Sequence, residues 1–151
     1  GAGSALTYDL IATTGFARTS ASHVTRNTDR IAASSEAAVV LRKTVRNLTL
    51  GSAEGTTNAG APGDVLAYRI YLDNTSSETV SNLTIHDRTP PYTVLGAAPT
   101  SPSAVASQLN CLLVVPASAA PGYAGVLQWD CSGMLPPGDS GFVNFEVRIL
   151  D

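Results

Sequence analysis

The sequence predicts an all-β protein, an antiparallel sandwich, on three observations. Apolar and polar residues alternate with the period of a half-buried strand; turns rich in Pro and Gly break the chain at short intervals; and no segment carries a sustained helical stripe with caps. The run from Ala61 to Pro90 shows all of this at once. Pro62, Gly63 and Asp64 form a turn, after which Tyr68, Ile70 and Leu72 point one way and Arg69, Tyr71 and Asp73 the other. Asn74 to Glu78 supplies a polar reversal, Val80, Leu83 and Ile85 resume the pattern, and Asp87 followed by Pro90 and Pro91 ends it.

In chain order, strands are expected at residues 38–46, 65–73, 80–86, 92–97, 109–115, 124–131 and 141–150. Turn signals at Gly60 to Asp64, Asn74 to Glu78, Pro99 to Ser103, Pro116 to Gly122 and Pro136 to Gly141 separate them. Seven short strands so spaced suit an immunoglobulin-like sandwich, in which two antiparallel sheets bury their inward faces against each other. The turn Pro62-Gly63-Asp64 is echoed by Pro137-Gly138-Asp139 ahead of the last strand, and each Asp is suited to accept a nearby backbone N–H. Neither belongs to a dense Asp/Asn ladder of the kind that binds calcium.

The 151 residues, 44% of them apolar, are enough for one domain with a substantial core. Only 14% are charged, the net charge is -3, and the nine cations are scattered, so no basic face exists for nucleic acid or anionic lipid. No apolar run approaches the roughly 20 residues that span a bilayer. His23 and His86 are the only histidines and neither belongs to a nucleophile motif, so no catalytic residues are assigned, and no cofactor or metal is expected.

Cys111 and Cys131, the only cysteines, lack the spacing of a zinc site and are expected to form a disulfide in an oxidising compartment. Closing that loop stabilises by about 3 kcal/mol in the chain-entropy model. Trp129, in phase with Leu127 and Cys131, should pack in the core beside the bridge.

Residues 37–151 form the expected sandwich domain and residues 1–36 an N-terminal arm. Within the arm, Leu6, Tyr8 and Leu10 alternate against Thr7 and Asp9, so a strand is expected at about residues 5–13, with a weaker one between Ser22 and Ala33. Burying those three side chains yields roughly 5 to 9 kcal/mol, whereas fixing nine backbones costs on the order of 1 to 2 kcal/mol each. The arm therefore needs a hydrogen-bonded ladder, either as a donor strand on a neighbouring copy or as the tail of a preceding repeat.

From about Val39 to Ile149 the chain resembles the Ig-like repeat family of unknown molecular function that recurs in bacterial and archaeal cell-surface proteins. The resemblance rests on Lys43-Thr44-Val45 in the opening strand, on Pro62 to Asp64 leading to Tyr68, Ile70 and Asn74, on Leu83, Ile85, Asp87 and Pro90, and on Leu135, Pro137 and Gly138 before the last strand. It implies an exported prokaryotic structural or adhesive module with no catalytic residues. The expected function is a subunit of a surface filament or layer, a homopolymer joined by strand addition. The alternatives are a spacer repeat of an adhesin and a carbohydrate-binding module using Tyr71, Tyr92 or Tyr123 as a stacking platform.

Lys43, the only lysine, lies in phase with Val39, Leu41 and Val45, which aims it at the core. In some surface sandwiches a first-strand Lys forms an isopeptide bond with a last-strand Asn beside an acid, and Asn144 with Asp87 or Glu146 would fill those parts. Strand parity opposes this, because Phe145, Val147 and Ile149 are the natural inward set. A snorkelling lysine, or a bulge at Arg42 that turns it outward, is the expected arrangement. Asn47, Asn74 and Asn82 begin Asn-x-Ser/Thr sequons, which matter only on a glycosylating secretory route.

Overall fold

The computed structural model describes residues 5–16, 22–32, 39–99 and 108–151, the first two stretches as backbone strands. Ten strands are present among them and no helix. In order they are β1 (Ala5–Phe16), β2 (Ser22–Ala32), β3 (Val39–Asn47), β4 (Asn58–Gly60), β5 (Val65–Asn74), β6 (Val80–Arg88), β7 (Thr93–Leu95), β8 (Leu109–Val115), β9 (Val126–Leu135) and β10 (Ser140–Ile149).

Two antiparallel sheets form the sandwich: one in the order β3-β5-β10-β7, the other in the order β6-β9-β8. Taking β3, β5, β6, β7, β8, β9 and β10 as first to seventh, the constant-type immunoglobulin arrangement would join first, second, fifth and fourth against third, sixth and seventh. Here the fifth and seventh strands exchange sheets, so the second strand, β5, is flanked by the first and the last.

The core follows from the period-2 pattern. In β5, Leu66, Tyr68, Ile70 and Leu72 are buried, and in its neighbour β10 so are Val143, Phe145, Val147 and Ile149. The facing sheet contributes Leu83, Ile85, Leu127, Trp129 and Leu135. Tyr68 stacks on Phe145 with ring centroids 5.1 Å apart, and Trp129 approaches Phe145 at 6.0 Å from the other sheet, so three aromatic side chains bridge the layers.

The seven expected sandwich strands are all present, with ends moved by a few residues. β7 is the most shortened, because the main chain on one side of Leu95 is taken by a loop: its N–H donates to Tyr123 O and its carbonyl accepts from Gly122. The alternation misses β4, whose residues Asn58-Ala59-Gly60 carry no large apolar side chain. It runs parallel to the end of β1, with Thr14, Gly15 and Phe16 opposite Asn58, Ala59 and Gly60. A Cβ on Gly60 would lie 2.5 Å from the end of the Ile149 side chain, so a larger residue here would require that side chain to shift.

The N-terminal segment forms a hairpin within its own chain. β1 pairs antiparallel with β2 along its length, from Ala5 opposite Ala32 to Gly15 opposite Ser22, and β2 runs near β6. The side chains of Leu6, Tyr8 and Leu10 lie outside the described residues.

Candidate functional site

Three constellations were candidates: the lysine site, the cysteine pair and the arm. The first is built by two strands from opposite sheets. β3 turns Lys43 inward between Val39 and Val45, and β6 turns Asp87 inward after Leu83 and Ile85. Lys43 Nζ donates to Asp87 Oδ2 at 2.5 Å, with 5% and 0% of the two side chains exposed, and the other carboxylate oxygen accepts the Arg88 N–H. The ammonium also lies 5.1 Å from the Tyr68 ring centroid and 5.3 Å from that of Phe145, so two π faces share its charge.

This corrects the expectation for Lys43, which neither snorkels nor turns outward. Its strand pairs with β5 in unbroken register through Arg42 opposite Tyr71 and Lys43 opposite Ile70, so no bulge shifts the phase. The strand phase of β10 is the one that opposed an isopeptide bond. Asn144 and Glu146 alternate with the buried Val143, Phe145 and Val147, and it is Phe145 that faces Lys43. Of the four residues considered, Lys43 and Asp87 are in direct contact. The signal was in the sequence: Asp87 shares the inward phase of Leu83 and Ile85, making it the natural partner of an inward lysine.

Tyr68 has its hydroxyl buried with no hydrogen-bond partner among the described residues. Burial pushes its pKa up, and the nearby charge of Asp87 adds to the shift. The phenol therefore stays neutral.

Cys111 and Cys131 form a disulfide, directly opposite each other on β8 and β9, within one sheet rather than across the sandwich. Trp129 and both cysteines are buried in the same core.

The two Pro-Gly-Asp turns differ. Asp64 accepts from Ala61 N–H at 2.9 Å and from the Asn47 amide at 2.8 Å, and these two bonds hold its carboxyl below the usual range. Asp139 instead bonds through its main chain, its N–H donating to Pro136 O and its carbonyl accepting from Asn74. Asn74 locks the opposite end of the sandwich, its amide donating to Glu78 O and Leu135 O, each at 2.8 Å. Both nitrogens that a glycan would need, on Asn47 and Asn74, are thus committed and buried; Asn82, with φ at 55°, is exposed where β6 and β9 slip register.

The tyrosines are engaged unequally. Arg42 covers the Tyr71 ring at 4.0 Å while the Tyr71 hydroxyl donates to Glu54, and the Tyr123 hydroxyl donates to Val126 O. Tyr92 is 65% exposed. Among the described residues no group of three or more His, Cys, Asp and Glu is placed to hold a metal ion, and no helix is long and apolar enough to cross a membrane.

Comparison with family models, with curated proteins and with solved structures finds no match to this chain.

Proposed function

We propose that this protein is a non-catalytic structural module of the cell surface, exported by a prokaryote, whose copies join by β-strand addition into a filament or layer. One observation carries this reading. β1 belongs to neither sheet of the sandwich, and over Ala5–Thr13 the edge it turns away from β2 is paired with no strand among the described residues. An open edge of nine residues is a template for another chain.

Two features support a mechanical role. The core is closed by a disulfide and by a buried ion pair linking the sheets, and the surface is poor in charge. The test is light scattering and electron microscopy of concentrated native protein, alongside full-length Leu10→Asp and a Thr7→Ser control, with circular dichroism to follow the fold. Assembly by the parent and the control but not by Leu10→Asp supports strand addition. A parent that stays monomeric at high concentration refutes it and leaves the spacer-repeat reading.

A further inference from the structure

We infer that the acceptor in this assembly is the free edge of β8, and that its occupant is the β1 strand of a second copy; the inference rests on the strand-addition reading above. The sandwich has four edge strands, and three are guarded. β3 carries the exposed Arg42 and Arg46, and the loop after it folds back so that Val45 and Gly55 exchange both main-chain hydrogen bonds. β7 is three residues long and its Leu95 is bonded to the loop at Gly122 and Tyr123. β6 is interrupted at Asn82 and has β2 running near it. Short length, positive charge, bulges and covering segments are the means by which natural sheets prevent edge pairing.

Among the described residues, β8 has none of these along its first five residues. Its sequence, Leu-Asn-Cys-Leu-Leu-Val-Val, has no charge, and its register slips only between Leu113 and Val115. Leu112 and Val114 are exposed, at 53% and 37%. The hydrogen-bond phase is fixed by Met134 N–H, which donates to Gln108 O immediately before the strand. Since bonded and non-bonded positions alternate along an antiparallel pair, Asn110 and Leu112 bond towards β9, and the N–H and carbonyl groups of Leu109, Cys111 and Leu113 point the other way. No strand among the described residues meets them.

The molecule's own β1 is poorly placed to reach this edge. Its hairpin lies near β6, at the far side of a sheet in which β9 separates β6 from β8. The two open edges thus belong to opposite sides of one chain. Such a pair makes a head-to-tail contact, which propagates as an open filament unless the rotation closes a ring. The strands are also compatible in length and charge: five to seven residues of uncharged β8 against nine of β1, where Asp9 is the only charge. No like charges oppose one another.

The test uses full-length chains. An acceptor-blocked variant, Leu112→Lys with Val114→Lys, places charge on outward positions that leave the core intact, and a donor-blocked variant carries Leu10→Asp. Light scattering gives the assembly concentration, and Trp129 fluorescence with circular dichroism reports the fold. Each variant alone should need on the order of tenfold more protein, or more, to assemble. Mixed, they should form pairs and no longer polymers, because one supplies the only good donor and the other the only good acceptor. If the acceptor-blocked chain polymerises like the parent while Leu10→Asp does not, strand addition survives and β8 is overturned as its site. If both are blocked but the mixture stays monomeric, the pairing of β1 with β8 is overturned. A parent that never assembles removes both readings. Should the double substitution disturb folding, Val114→Lys alone replaces it, with the same expected outcomes.

Discussion

Replacing Lys43 by Met should be among the most damaging single substitutions in this chain. It leaves Asp87, whose side chain is 0% exposed, inside the sandwich without the ammonium that meets it at 2.5 Å. Removing one partner of a buried pair costs about 3 to 5 kcal/mol, because the remaining carboxylate stays buried without the ammonium that balanced it. For a domain of this size each kcal/mol moves Tm by about 2 to 4 °C, so a fall of about 6 to 20 °C is expected. The paired change Lys43→Met with Asp87→Leu removes both charges and fills similar volume, and should recover most of the loss or exceed the parent by about 1 to 4 kcal/mol. The assay is guanidinium unfolding followed by Trp129 fluorescence, run as a double-mutant cycle under non-reducing conditions. A coupling energy below about 1 kcal/mol would place the pair in the class of solvated surface bridges and refute the reasoning.

Tyr68→Phe should be neutral or mildly stabilising, since it removes a buried hydroxyl that has no partner among the described residues; a loss of more than about 2 kcal/mol would mean the hydroxyl is bonded after all. Asp64→Asn should cost about 1 kcal/mol at neutral pH and flatten the acid limb of stability. The sign follows from its lowered pKa: the carboxylate contributes above its unfolded pKa, and that contribution is lost as pH falls through the folded value, so equal acid slopes in variant and parent would contradict it. Intact mass should equal the sequence mass less two hydrogens, restored on reduction, with about 3 kcal/mol of stability lost in the chain-entropy model. A further deficit of ammonia or water that disappears in Lys43→Arg would reveal a covalent cross-link in place of the ion pair.

The sequence by itself determined the all-β class, the approximate place of every sandwich strand and the inward face of strands such as β5 and β10, because alternation records which side of a strand meets water. It determined the entry turn at Pro62 to Asp64 for a similar reason, since proline, glycine and a short acid each act within a few residues of themselves. Strand phase also aimed Lys43 at the core, while Asp87 entered only as one of two acids that could stand beside it. Tertiary structure alone decided that Lys43 and Asp87 meet, that β10 and not β8 lies beside β5, that β4 exists, and that β8 lies at the edge of its sheet. Periodicity assigns a residue to a face but carries no information on which strand lies next to it or across from it. Those choices depend on contacts between residues tens of positions apart, and there the phase of one strand is silent about its neighbour.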